Sequence, residues 1–171
     1  MINRTLVLIR HAKAEPTADS DTLRPLAPRG RRDAEAAGRW LADLAVSPGL
    51  ALVSTAVRAQ QTWEGIAGAF PSAPMRSEPR IYDNTVEALL AIISEVPDEV
   101  ESLVLVGHNP SMHGLAITLD DGDGHEAAQA ALHDGYPTCA ITVFDVACGW
   151  SDLAYGAARI RAFAAPRADR S

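Results

Sequence analysis

Three short runs of continuous apolar, partly β-branched residues constrain this chain most: residues 5–9 (TLVLI), 50–54 (LALVS) and 102–106 (SLVLV). None shows the in–out alternation of a half-wet sheet, so each predicts a strand covered on both faces. Between them the apolar spacing changes to three and four. Residues 28–45 carry Ala34, Ala37, Trp40, Leu41 and Leu44 at helical spacing; Pro28 suits the start and Ser47-Pro48-Gly49 the stop. Residues 57–70 place Thr62, Trp63, Ile66, Ala67 and Phe70 near one face before Pro71 and Pro74. Residues 86–96 read as a helix with Thr85 as N-cap, and 110–119 and 126–132 as two more. Further strands are expected at 75–81, at 139–146 (with Cys139 inside it) and at 158–163, the last two antiparallel at an edge. Alternating strand and helix predict a three-layer α/β/α fold with a mostly parallel central sheet. At 171 residues the expectation is one domain over 1–165 with a frayed tail at 166–171.

Composition removes several function classes. No apolar run approaches the ~20 residues of a membrane span. The apolar stretch after Met1 is too short for an export signal, so no membrane partner and a cytoplasmic location are expected. Cys139 and Cys148 form no CxxC pair and read as free thiols. The net charge of −7 argues against nucleic acid as a partner. That charge is uneven: residues 81–158 hold no Arg or Lys, while residues 1–80 are net positive. Any anion site must therefore draw its fixed positive charge from the first half or the tail. A local positive pocket in an acidic shell would hold one small anionic group at contact and repel polyanions at long range.

The residues behind the three apolar runs carry the chemistry. Arg10-His11 follows the first, Ser54-Thr55-Ala56-Val57-Arg58 the second and Gly107-His108-Asn109-Pro110 the third. A parallel sheet brings these ends to one rim. Two guanidinium forks match phosphate oxygens, and two imidazoles supply nucleophile, acid, base or donor. A helix starting near Pro110 is expected to add backbone donors there. The arrangement suggests phosphoryl transfer with His11 as nitrogen nucleophile. Each residue alone has a structural reading, Arg58 as a surface group and His108 as a turn partner; the joint placement favours function.

The segments LIRHAKAE (8–15), RPLAPRG (24–30), STAVRAQQTW (54–63) and VGHNPS (106–111) resemble the histidine phosphatase superfamily, in its order. The resemblance is to the short branch of SixA-type phosphohistidine phosphatases, with a phosphoglycerate mutase-like fold. It implies that His11 is phosphorylated during turnover, that Arg10 and Arg58 hold the phosphoryl oxygens, and that His108 donates to them. It also implies that Arg24 adds charge near the mouth, Asp21 orients it, and Asn109 contacts the substrate. No cofactor or metal is implied.

Two positions depart from the family pattern. Ala12 stands where Arg-His-Gly is widespread, which is tolerable unless that residue needs φ > 0. Many members supply a Glu proton donor; here the region reads RIYDNT (80–85), and Asp83 is the nearest candidate, with a pre-helix turn carboxylate as its bland reading. A weak acid fits one substrate class. An ester leaves as an alkoxide and needs protonation, whereas phosphohistidine leaves as an imidazole whose conjugate acid has a pKa of roughly 6.5. The expected activity is phosphohistidine hydrolysis on a protein through phospho-His11. A small phosphomonoester or nucleotide is the alternative substrate, and a non-catalytic phospho-ligand binding module the alternative of another class. The remaining signals read as structure: the five histidines lack metal spacing, DDGDG (120–124) lacks the calcium-loop pattern, Arg29, Arg31 and Arg32 form a solvated face, and Trp40 and Trp63 are core.

Overall fold

A computed structural model describes residues 3–168. The strands are β1 (Arg4–Arg10), β2 (Leu50–Val53), β3 (Met75–Ser77), β4 (Ser102–Gly107), β5 (Ile141–Val146) and β6 (Ala158–Ala164). They form one sheet in the order β3-β2-β4-β1-β5-β6. The first four are mutually parallel, and β5 runs antiparallel to both β1 and β6. The helices are α1 (Pro28–Asp43), α2 (Val57–Ala67), α3 (Val86–Ser94), α4 (Ser111–Leu119) and α5 (Glu126–Asp134). The three-layer α/β class read from the sequence is the one observed.

Period-two geometry explains why the interiors of the central strands β1, β2 and β4 are continuously apolar. Leu6, Leu8, Leu103 and Leu105 face α3, α4 and α5, where they meet Leu89, Ile92, Leu115 and Leu132. Val7, Ile9, Val104 and Val106 point the other way, onto Ala34, Leu41, Trp63 and Ile66 of α1 and α2. With helices on both faces, neither register position can be polar. Trp40 is partly buried against this second cluster.

Four local features differ from the sequence reading. α2 ends at Ala67 rather than near Phe70. The strand expected over 75–81 stops at Ser77, and Pro79–Asp83 winds into a 3-10 turn, because Pro79 has no N–H for the ladder and Glu78 caps the turn through Arg80 N. Cys139 is not in a strand: its φ is 61°, its N–H donates to the His11 carbonyl, and β5 begins two residues later. The tail is held at its start rather than frayed there. Arg167 donates to the Thr138 carbonyl (3.1 Å), and the Ala168 N–H donates to Asp33 Oδ1 (3.1 Å). Residues 169–171 of that expected tail lie outside the described residues.

The sheet also sets the rim. Arg10 is level with Gly107, and Val53 with Val106, so β1, β2 and β4 end at one height. The ladder continues one step beyond: His11 N–H donates to the Gly107 carbonyl (2.9 Å) and Ser54 N–H to the Val106 carbonyl (3.1 Å). Residues following these strands therefore start from fixed backbone positions. Among the described residues, no helix is long and apolar enough to cross a membrane.

Candidate active site

His11 sits at the end of β1, almost fully buried, with its ring centroid 5.4 Å from that of His108. Its Nδ1 lies 2.8 Å from the Ala12 carbonyl. A carbonyl only accepts, so Nδ1 carries the proton and Nε2 keeps its lone pair. Burial pushes the ring's pKa down to about 4; the Ala12 bond opposes this, and Arg58, Arg10 and Arg24 add to it. At neutral pH the imidazole is uncharged and nucleophilic. Ala12 is buried and is not among the residues with positive φ, so a side chain is tolerated there. Its N–H donates to Thr62 Oγ1 (2.9 Å), which ties the His11 loop to α2.

His108 follows β4 and is also buried. Its Nε2 lies 2.8 Å from Ser54 Oγ, while Nδ1 has no partner among the described residues. Burial first, then His11 and Arg58, push its pKa down to about 3. Arg10 donates from Nη1 to the Tyr136 carbonyl (3.0 Å), and burial lowers its pKa. Arg58, in the first turn of α2, is buried and donates to the Asp21 carbonyl (2.8 Å) and Oδ2 (3.1 Å). The Nε atoms of Arg10 and Arg58 are buried without a protein partner, like His108 Nδ1. Unsatisfied buried polar groups are costly. Their gathering here fits a site that completes itself on an oxyanion.

Asp21 is the hub of the outer site. Besides Arg58, its carboxylate accepts from Arg24 Nε (3.0 Å) and from the Tyr82 hydroxyl (2.5 Å). These donors, Tyr82 foremost, hold its pKa down at about 2. Arg24 also donates to the Glu15 carbonyl (2.9 Å). Tyr82 meets His108 edge to face at 5.6 Å. Arg10, His11, Asp21, Arg24, Arg58 and His108 are thus brought together. Two expected residues stand apart. Asp83 is exposed at the end of its 3-10 turn and makes no side-chain hydrogen bond or ion pair among the described residues. Asn109 uses its amide within the fold, donating to the Tyr136 carbonyl (2.9 Å) and accepting from His113 N–H (3.3 Å).

The expected donors at the start of α4 are already committed. Ser111 N–H goes to Asn84 Oδ1, Met112 N–H to the His108 carbonyl and His113 N–H to Asn109 Oδ1. This helix start therefore braces the His108 turn rather than offering free donors. Tyr82, Thr62 and Tyr136 are the contributors the sequence reading missed. Tyr82 stands in RIYDNT (80–85), the segment read for a carboxylate donor, and no local pattern marks its reach to Asp21. No group of three or more His, Cys, Asp or Glu side chains is placed to hold a metal among the described residues. Residues 120–124 are tied by local bonds and by the Asp121–Arg159 pair (3.0 Å).

A family model described as histidine phosphatase superfamily (branch 1) matches residues 6–86. An uncharacterized protein of Mycobacterium tuberculosis is 40% identical over 161 residues, which is 93% of this chain and 100% of that protein. A candidate phosphohistidine phosphatase SixA from Nakamurella multipartitia superposes with a TM-score of 0.85 at 32% identity, covering 96% of each chain. Its counterpart from Agrobacterium tumefaciens gives 0.80 at 32% identity, over 95% of this chain and 98% of the other. The architecture is phosphoglycerate mutase-like.

Proposed function

The chain belongs to the histidine phosphatase superfamily, and from that premise we propose that it hydrolyses phosphohistidine on a protein through a phospho-His11 intermediate. The carrying observation is the Nδ1 bond of His11 to the Ala12 carbonyl, which leaves Nε2 as the free nucleophile between two arginines and a second imidazole. In the first step the Nε2 lone pair attacks phosphorus. The bond from phosphorus to the substrate nitrogen breaks, and that nitrogen keeps the electron pair and takes up a proton. In the second, water attacks the phosphorus of phospho-His11, the P–Nε2 bond breaks, and inorganic phosphate leaves. Arg10, Arg58 and His108 hold the equatorial oxygens, where the charge of the two arginines and the N–H groups of all three act on developing negative charge.

The substrate class rests on leaving-group chemistry. Transfer from one imidazole to another is nearly balanced, so it makes little demand on a proton donor. The Asp83 carboxylate is exposed and unengaged, an arrangement suited at most to assisting a leaving group that reaches out of the mouth. Expected absence of cofactors follows from the same scheme, in which every step uses side chains and water.

The experiment incubates the protein with a phosphohistidine-bearing protein and, separately, with an aryl phosphate, and measures phosphate release. Acid-labile phosphoenzyme should form in the wild type and disappear in His11→Ala together with all turnover. Turnover retained by His11→Ala refutes the mechanism. Fast aryl phosphate turnover without phosphohistidine turnover refutes the substrate class, and phosphate binding without turnover on either supports a binding module.

A further inference from the structure

The outer face of the site is built from two segments that the reaction scheme does not use. Asp21 lies in a 3-10 turn (Asp21–Leu23) after β1, and Tyr82 lies in the turn after β3. Their hydrogen bond joins segments 61 residues apart. Each also touches one group assigned to the phosphoryl oxygens: Asp21 binds Arg58, and Tyr82 packs its ring against His108. Among the described residues, neither makes a hydrogen bond, ion pair or ring contact with His11. In-line displacement puts the leaving group on the side of phosphorus away from the attacking Nε2. With the phosphoryl oxygens on Arg58 and His108, the phospho-His11 scheme assigns the Asp21–Tyr82 pair to the leaving-group side.

The most exposed of the charged groups gathered there is a carboxylate. The Asp21 side chain is 53% exposed, against 24% for Arg24 and 7% for Arg58. Both arginines turn donors onto Asp21, and Arg24 spends another on the Glu15 carbonyl. An incoming group beyond the phosphoryl thus meets the carboxylate and the phenol before either guanidinium. Asp83, next to Tyr82, is exposed and of the same sign.

We propose that Asp21, held in place by Tyr82, is the specificity-determining wall for the leaving group and disfavours phosphorylated compounds with a negative charge beside the departing atom. This rests on the phospho-His11 reading for which side is which. It separates a neutral imidazole or unsubstituted aryl leaving group from carboxylated or multiply phosphorylated alcohols. Asp21 also pins the terminal edge of the Arg58 guanidinium through Nη1 and Nη2, leaving its buried Nε edge for the phosphoryl oxygens.

The test uses non-hydrolysable ligands, so it does not depend on turnover. Affinities of benzylphosphonate and 4-carboxybenzylphosphonate are measured by calorimetry on the full chain. Wild type should favour the ligand without the carboxylate by about tenfold, the scale of one unit-charge repulsion across a partly screened mouth. Asp21→Asn should bring the two within about threefold. Asp19→Asn, which removes an exposed carboxylate two residues away, should leave the ratio within about twofold of wild type. In wild type, raising salt from 0.02 to 0.5 M should shrink the ratio to about threefold, because the Debye length falls well below 10 Å. Equal affinities in wild type, a ratio unmoved by Asp21→Asn, or a ratio insensitive to salt each overturn the proposal. Discrimination that holds while phosphohistidine turnover is absent overturns the substrate reading and leaves the wall standing.

Discussion

Replacing Thr62 by valine tests how the fold holds the nucleophile. Thr62 is fully buried in α2, accepts from the Ala12 N–H at 2.9 Å and donates to the Arg58 carbonyl at 2.7 Å. Valine keeps the shape and the β-branch but removes the hydroxyl. The Ala12 N–H is then buried without an acceptor, at a cost of about 1–3 kcal/mol. For a chain of this size each kcal/mol moves Tm by roughly 2–4 °C, so Thr62→Val should melt roughly 2–12 °C lower. The same residue, Ala12, carries the carbonyl that fixes the His11 tautomer. Loosening it should lower kcat on an aryl phosphate several-fold with little change in KM, since Thr62 meets only the backbone of Arg58 and no side chain assigned to the phosphoryl oxygens. Thr62→Ser keeps the hydroxyl and should retain most of both. Thermal unfolding and steady-state kinetics of the three proteins decide the matter. Thr62→Val at wild-type Tm and kcat refutes the reasoning; Thr62→Ser as damaged as Thr62→Val assigns the effect to packing instead.

Two further outcomes are expected. At Gly30 in α1, an added Cβ would lie 2.1 Å from the Lys13 carbonyl oxygen, two residues beyond His11. Backbone cannot yield as a flexible side-chain tip can, so Gly30→Ala should cost roughly 1–3 kcal/mol or more and depress turnover; wild-type melting and activity would refute the close approach. His11 and His108 have folded pKa values of about 4 and about 3, below the ordinary 6.5. The unfolded chain thus binds more protons between these values, so stability from the two neutral rings is present above pH 6.5 and lost as pH falls toward 4 and then 3. Urea midpoints at pH 7.5, 6.0 and 5.0 should fall in that order, by at most about 2.7 kcal/mol per pH unit for two groups. Equal midpoints, or ring resonances of these two histidines titrating near 6.5, would refute the burial argument.

Several local features were legible in the sequence because their causes are local. Residues 103–106 (LVLV) have no polar position, and a sheet covered on both faces accommodates that. Thr85 accepts from Ala88 N–H as an N-cap should. The three strand ends carried Arg10-His11, Arg58 and His108 to one rim because parallel strands align their carboxyl ends. Cys139 was misread because its left-handed turn answers to the His11 carbonyl, a partner 128 residues earlier that no local pattern announces.

What this sequence determined alone was the layer order, the rim and the residue types standing on it. Only the tertiary structure decided which nitrogen of His11 is free, that the first N–H groups of α4 brace a turn, and that Asp21 gathers Arg24, Arg58 and Tyr82. Periodicity and chain direction are set by neighbouring residues. Hydrogen-bond partners, tautomers and the sign of the charge at the mouth are set by contacts between segments tens of residues apart, which exist only once the sheet has brought them together.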